Sequence, residues 1–195
     1  MRLSGHLLKR PPSFELLTDK EVSEGTSAHT DVVTWKMFVQ RGEGNWDGCR
    51  NTIAHEWGEM LFDNIMTDAE KKRFQKALAA DAVLMSKDPL LKNSGWGNAD
   101  RLTSVASRSI FGRGEAELSV NDRHRIRSLF DIAGSATVGE IGFGHSKTDY
   151  EKEFIADRHG NDAFACMYVA VTRGYPEYQE KCPNLWKYME ELLKK

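Results

Sequence analysis

His55, Glu56 and Glu59 are the residues of this 195-residue chain whose types and spacing point most directly to chemistry. On a helix, residues i and i+4 lie on one face, so the side chains of His55 and Glu59 can reach one point together. Glu56, one step round the helix, can lie beside that point without occupying it. Helices with the pattern HExxH bind zinc in this way, with the Glu as general base for the attacking water. The spacing therefore predicts a metal-binding helix with His55 and Glu59 as ligands and Glu56 as the base.

Glu59 stands where the HExxH pattern has its second histidine. A carboxylate is an acceptable zinc ligand, but its negative charge makes the metal a poorer electrophile that acidifies water less. The competing interpretation is a solvated helix face without function. Gly58 favours the functional interpretation, because glycine in a helix interior costs about 1 kcal/mol relative to alanine. It is expected where another backbone or a ligand comes close.

Hydrophobic patterning predicts the elements that must position this segment. Residues 32–40 (VVTWKMFVQ) are rich in β-branched and aromatic side chains, which predicts a strand. Apolar residues three and four apart predict a helix over 52–66. The sequence TDAE at 67–70 predicts a capping box that opens a second helix. Further predicted elements are a short β-like segment at 138–143 and helices over 121–132, over 150–171 with an interruption at Gly160, and over 184–195.

These elements predict one α+β domain that is mostly α, with a short sheet edge beside the metal-site helix. Residues 1–30 are expected to form an N-terminal arm with at most one short ordered element, and residues 31–195 to form the domain. The apolar stripes of the helices predict a set of core residues. That set is Ile53, Trp57, Leu61, Ile126, Phe130, Phe164, Tyr168, Leu185 and Trp186.

Composition excludes several classes of protein. A net charge of -2, from 27 basic and 29 acidic residues, gives no strong signal for nucleic acid or an anionic membrane. No apolar run is long enough to cross a bilayer, and the N-terminus lacks the apolar core of a secretory signal. Three cysteines are too few for a disulfide framework, which predicts reduced thiols in a cytoplasmic protein.

Residues 52–60 (TIAHEWGEM) resemble the active helix of zincin-type metallopeptidase domains. Later segments follow in an order similar to that of the metallopeptidase-like C-terminal domain of phage minor head (minor capsid) proteins. These segments are FDIAGS at 130–135, GFGHS at 142–146, DAFA at 162–165 and CPNLWKYMEE at 182–191. The resemblance covers residues 32–193. It implies a single zincin-like domain of phage or prophage origin that acts on a peptide or protein substrate. It also implies a place in the host cytoplasm or the virion, with phage head proteins as partners.

Carried over residue by residue, the resemblance implies His55 as the first ligand and Glu59 at the position of the second. Asp162, at the position of the glutamate in an EAFA-type helix, is implied as the third ligand. Because Glu59 and Asp162 both depart from the family pattern, the set is more anionic than a usual zinc peptidase site. It suits zinc, another divalent ion or none. Glu153 and Asp157 stay open as alternative third ligands.

His145, in the glycine-rich segment, is a candidate for orienting substrate or stabilising an oxyanion. The alternative is a histidine that hydrogen-bonds a loop carbonyl. Three functions stay open at this point. The first is a metal-dependent peptidase, the second a non-catalytic phage head or interaction module that retains the fold, and the third a metallo-hydrolase that acts on another substrate.

Overall fold

A computed structural model describes residues 13–23, 28–31, 36–39, 46–92, 104–142, 145–155 and 159–194 of the chain. Within them the protein is mostly helical with one small sheet, which agrees with the predicted α+β class. The strands are β1 (Ser13–Leu16), β2 (Ala28–Asp31) and β3 (Lys36–Val39). The α-helices are α1 (Asp19–Ser23), α2 (Trp46–Asn64), α3 (Asp68–Met85), α4 (Val120–Thr137), α5 (Lys147–Ile155), α6 (Asn161–Arg173), α7 (Pro176–Lys181) and α8 (Pro183–Lys194). A π-helical turn at Ser107–Phe111 and a 3-10 turn at Glu115–Glu117 lie between α3 and α4.

The sheet has β3 at its centre, parallel to β1 and antiparallel to β2. In the parallel pair Phe14 lies opposite Met37. β3 falls within the predicted strand 32–40, and the rest of that prediction lies outside the described residues. β1 belongs to the predicted arm, residues 1–30, and β2 begins there. The described part of that segment is therefore more ordered than expected, because β3 satisfies the backbone hydrogen bonds of both strands.

Side-chain caps fix where two of the central helices begin. The Thr67 hydroxyl accepts a hydrogen bond from the Glu70 backbone N–H at 3.3 Å, and the Glu70 carboxylate accepts one from the Thr67 N–H at 2.9 Å. This confirms the predicted capping box at the start of α3. Ser119 and Asp122 form a second capping box at the start of α4. α2 begins at Trp46, earlier than the start at residue 52 that periodicity predicts.

The predicted β-like segment at 138–143 is wrong over its described part. Val138 follows the last turn of α4 with a φ of 51°, in the left-handed region. Such a residue ends a helix and reverses the chain direction. The following turn is held by the Thr137 hydroxyl, which accepts a hydrogen bond from the Ile141 N–H at 3.1 Å.

The core is built around α6, which packs against α2 and α4. Of the predicted core residues, Ile53 and Trp57 are half-buried and the others are buried, so the predicted helix faces are confirmed. Phe74 packs edge to face on Phe164, with ring centroids 5.3 Å apart. Each such side chain contributes about 1.5–3 kcal/mol on burial. Among the described residues, no helix is both long enough and apolar enough to span a membrane.

Gly58 is the point at which α2 and α6 come close together. A Cβ built on Gly58 would lie 2.6 Å from the Cα of Ala165 and 3.1 Å from its Cβ. Side chains do not approach a backbone so closely, so the two helices can lie at this distance because residue 58 has no side chain. The glycine in the helix interior is thus explained by the backbone of α6.

We expect Gly58→Ala to destabilise the protein by about 1–3 kcal/mol, the usual cost of overpacking. This should hold although alanine is the better helix former by about 1 kcal/mol. The measurement is urea unfolding. Gly114→Ala is the matched control, because the nearest atom to its Cβ is the flexible end of Glu117, Oε1, at 3.4 Å. A Gly58→Ala variant as stable as the parent would contradict the close approach of α2 and α6.

Candidate metal centre

His55 and Glu59 lie one turn apart on one face of α2. The Nε2 atom of His55 lies 3.3 Å from Oε1 of Glu59, and their side chains are 24% and 23% exposed. Asp162, in the first turn of α6, brings its Oδ1 atom to 3.7 Å from Nε2 of His55. One ligand-type atom from each of the three residues lies within 4.8 Å of the other two. The structure therefore brings together the three residues predicted as ligands.

The spacing of these atoms fits one divalent cation. Two ligands at about 2.1 Å from a tetrahedral ion are separated by roughly 3.4 Å. The two distances from His55, 3.3 Å to Glu59 and 3.7 Å to Asp162, lie on either side of that value. Imidazole and carboxylate are both zinc ligands, and a set with two carboxylates also suits a harder ion such as Mn²⁺. The chemistry and the geometry of the residues thus fit a divalent ion.

Two carboxylates favour the protonated form of His55 when no metal is bound. Burial alone would lower the pKa of its imidazole, but hydrogen bonds to Asp162 and Glu59 raise that pKa above its usual value. Burial would raise the pKa of Asp162, yet the hydrogen bond from His55 and the charge of His145 hold it well below its usual range. A divalent ion must displace the proton of His55 before it can bind, so metal affinity should rise with pH.

Glu56 is 8% exposed and lies close enough to Glu59, His55 and Asp162 for their charges to act on its carboxyl group. Burial, with the charge of Glu59 added to it, raises the pKa of the Glu56 carboxyl group to about 7. A group with that pKa can accept and return a proton at neutral pH, as a general base must. The position and the pKa of Glu56 therefore suit the role predicted for it.

His145 contacts the carboxylates of Asp131 and Asp162. Its Nδ1 atom lies 3.1 Å from Oδ1 of Asp131 and 3.1 Å from Oδ2 of Asp162. The hydrogen bond to Asp131 raises the pKa of His145 to about 9, against the effect of burial, and the charge of Asp162 adds to the increase. The imidazole thus bonds carboxylates, where the sequence left a loop carbonyl open as the alternative. Its contact with Asp162 links His145 to the candidate centre, and its side chain is 45% exposed.

Asp131 and Tyr150 belong to this cluster although the sequence analysis did not single them out. Asp131, on the buried face of α4, accepts a hydrogen bond from the hydroxyl group of Tyr150 on α5. The Tyr150 oxygen in turn accepts the backbone N–H of His145 at 3.1 Å. A signal for Asp131 was available, because a carboxylate between Phe130 and Ile132 on an apolar helix face needs polar partners. No local pattern identifies Tyr150.

Cys166 and Glu153 complete the surroundings of Asp162. Cys166 lies one turn after Asp162, and its Sγ atom is 3.7 Å from Nδ1 of His55, which orients Nε2 toward the ligands. Burial raises the pKa of the Cys166 thiol to about 11, so the thiol is neutral. Glu153, an alternative third ligand, lies beside Asp162. Burial and the charge of Asp162 raise the pKa of Glu153 to about 9. The other alternative, Asp157, lies outside the described residues.

No protein-family model, curated protein or solved structure matches this chain. The chemistry of the cluster is therefore the guide to function. It combines ligands for a divalent ion, a carboxylate that exchanges its proton near neutral pH, and an imidazolium held at the edge of the site.

We expect the stability of the metal-free protein to depend on pH through Glu56. Because folding raises the pKa of Glu56 from 4.5 to about 7, its ionisation costs the folded state up to about 3 kcal/mol. The cost is absent below about pH 4.5, grows as the pH rises and is complete above about pH 7. Glu56→Gln removes the titrating group. The stability of this variant relative to the parent should therefore rise between about pH 5 and pH 8.

Urea unfolding in the presence of EDTA measures this difference. Glu151→Gln, at an exposed position of α5, is the control and should follow the parent at every pH. If the stability difference between Glu56→Gln and the parent is constant over the range, the pKa of Glu56 is not raised.

Proposed function

We propose that this protein is a zincin-like, metal-dependent peptidase domain of the kind found in phage minor head proteins, with an activity that Glu59 weakens. One observation carries the proposal. Ligand atoms of His55, Glu59 and Asp162, from two helices, lie within 4.8 Å of one another, and the buried Glu56 lies beside them. The order of the sequence motifs supports the family, and the mostly helical α+β architecture is compatible with it.

In this proposal His55, Glu59 and Asp162 hold one divalent cation, with zinc as the first candidate. When bound, the cation supplies Lewis acidity that polarises the scissile carbonyl group. Glu56 accepts a proton from the attacking water. Buried beside the ligands, it can then pass that proton to the leaving amine.

His145 takes the second catalytic role. Its imidazolium is held at Nδ1 by Asp131 and Asp162, and its side chain is 45% exposed, so its charge faces the solvent side of the site. A positive charge there stabilises the negative charge that develops on the carbonyl oxygen. The hydrogen bond to Asp131 favours the protonated imidazole, since it raises the pKa of His145.

A peptide substrate is supported by the position of β2. This strand lies at an edge of the described sheet and contacts α2, the helix that carries Glu56. An extended peptide can add to an edge strand through main-chain hydrogen bonds. A substrate bound there would run along the helix that carries the base and two of the ligands.

We expect the purified protein to bind Zn²⁺ and to cleave an unfolded protein such as reduced casein. His55→Ala should lower zinc affinity by more than the 10- to 100-fold that is typical of residues outside the ligand shell. Glu56→Gln should bind zinc normally and lose at least about 100-fold in cleavage rate, the contribution of a general base. Isothermal titration and a cleavage assay measure the two effects, with Glu151→Gln as the control.

The two readouts separate the candidate functions. Zinc binding without cleavage by the parent would favour a non-catalytic phage head or interaction module that retains the fold. Absence of both would overturn the proposal.

We also expect Glu59→His to raise zinc affinity or the cleavage rate above that of the parent. Glu59 lies 3.3 Å from His55, so a histidine at position 59 can bind the same ion. Because its imidazole is neutral, more of the ion's positive charge remains to polarise the substrate. Glu59→Gln is the matched control, because it removes the charge without supplying a strong ligand. If the parent already cleaves as fast as Glu59→His, the carboxylate does not weaken the site.

A further inference from the structure

Asp162 faces a different histidine with each of its two oxygens. Its Oδ1 atom lies 3.7 Å from Nε2 of His55, and its Oδ2 atom lies 3.1 Å from Nδ1 of His145. The second histidine also lies 3.1 Å from Oδ1 of Asp131. Asp131, His145 and Asp162 therefore form a second group whose ligand-type atoms all lie within 4.8 Å of one another. A carboxylate shared in this way has the arrangement of a bridging ligand.

The second group is held in place by packing around Tyr150. The hydroxyl group of Tyr150 donates to Asp131 and accepts the backbone N–H of His145 at 3.1 Å. Gly134 makes room for this ring, since a Cβ at that position would lie 2.5 Å from the Tyr150 oxygen. Asp131 and Asp162 are 7% and 6% exposed. Buried ligands fixed by contacts with other side chains are what a metal site requires.

An independent observation comes from Glu153 on α5. Its Oε2 atom is buried and has no hydrogen-bond partner in the part of the chain that the structure describes. Within the same residues no lysine or arginine forms an ion pair with Asp131, Glu153 or Asp162. A buried carboxyl oxygen without a donor is unfavourable until it gains a partner, and a cation beside Asp162 can supply one.

We propose that Asp131, His145 and Asp162 bind a second divalent cation and that Asp162 bridges it to the ion held by His55 and Glu59. This inference rests on the proposed function, because the first ion is part of it, and it revises one role. His145 would bind the second ion as a neutral imidazole, and that ion would then supply the positive charge that the His145 imidazolium supplies when one ion is bound. Two carboxylates and an imidazole suit Mn²⁺ or Zn²⁺. Hydrolases that use two ions, about 3.5–4 Å apart, stabilise both the attacking and the leaving atom.

The number of ions bound per chain tests the proposal. The metal-free protein is titrated with Zn²⁺ and, separately, with Mn²⁺, and the ions are counted by native mass spectrometry and elemental analysis. We expect two ions in the parent and in the exposed control Glu151→Gln. Asp131→Asn and Glu59→Gln should each retain one ion, and Asp162→Asn should lose affinity for both. In the Mn²⁺ form, electron paramagnetic resonance should show a coupled pair that is absent from Asp131→Asn and Glu59→Gln.

The outcomes distinguish this inference from the proposed function. A parent that binds one ion at saturation, with Asp131→Asn unchanged, overturns the second site and leaves the proposed function standing. A parent that binds no ion overturns both. Should Asp131→Asn fail to fold by circular dichroism, His145→Gln serves instead, because its side chain is 45% exposed and its loss should also reduce the count to one.

Discussion

The contact between α2 and α6 at Gly58 is the constraint on which the rest of the structure depends. The ligands of the candidate centre come from these two helices, His55 and Glu59 from one and Asp162 from the other. Gly58 lies against Ala165 of α6. In the sequence of α2, Gly58 stands between the two ligands His55 and Glu59. A separation of the helices by a methyl group would therefore move the ligands apart by a comparable distance. Apolar packing between helices sets the geometry of a polar site.

The helices around this contact bring a cluster of carboxylates together, and raised pKa values reduce its charge. His55 and His145 carry raised pKa values beside Asp162, and Glu56 and Glu153 have raised pKa values of their own. Buried charges are unfavourable unless they are paired, so bound protons reduce the net charge of the cluster in the metal-free protein. Cation binding must release these protons, which couples metal affinity to folding and to pH.

The parts of this site that could be predicted from the sequence are the local ones. Helical spacing places His55 and Glu59 on one face, and the capping box of Thr67 is a pattern of four residues. Asp162 was found through a motif resemblance, because nothing local relates it to α2. Asp131 and Tyr150 were missed since their pairing joins two helices across a turn and depends on packing. The β-like segment predicted at 138–143 is wrong over its described part, because Val138 adopts a left-handed conformation that its residue type disfavours.

Glu59 links the two proposals. As a replacement for histidine in a centre with one ion, it is a defect, because it adds negative charge and reduces the Lewis acidity of the metal. In a cluster that shares Asp162 between two cations, the same carboxylate offsets part of the repulsion between the ions. Asp131 and Glu153 act in the same direction from the other side of Asp162. On the two-ion proposal, the acidic departure from the HExxH pattern and the second histidine group have one physical explanation, because Asp162 belongs to both groups of ligands.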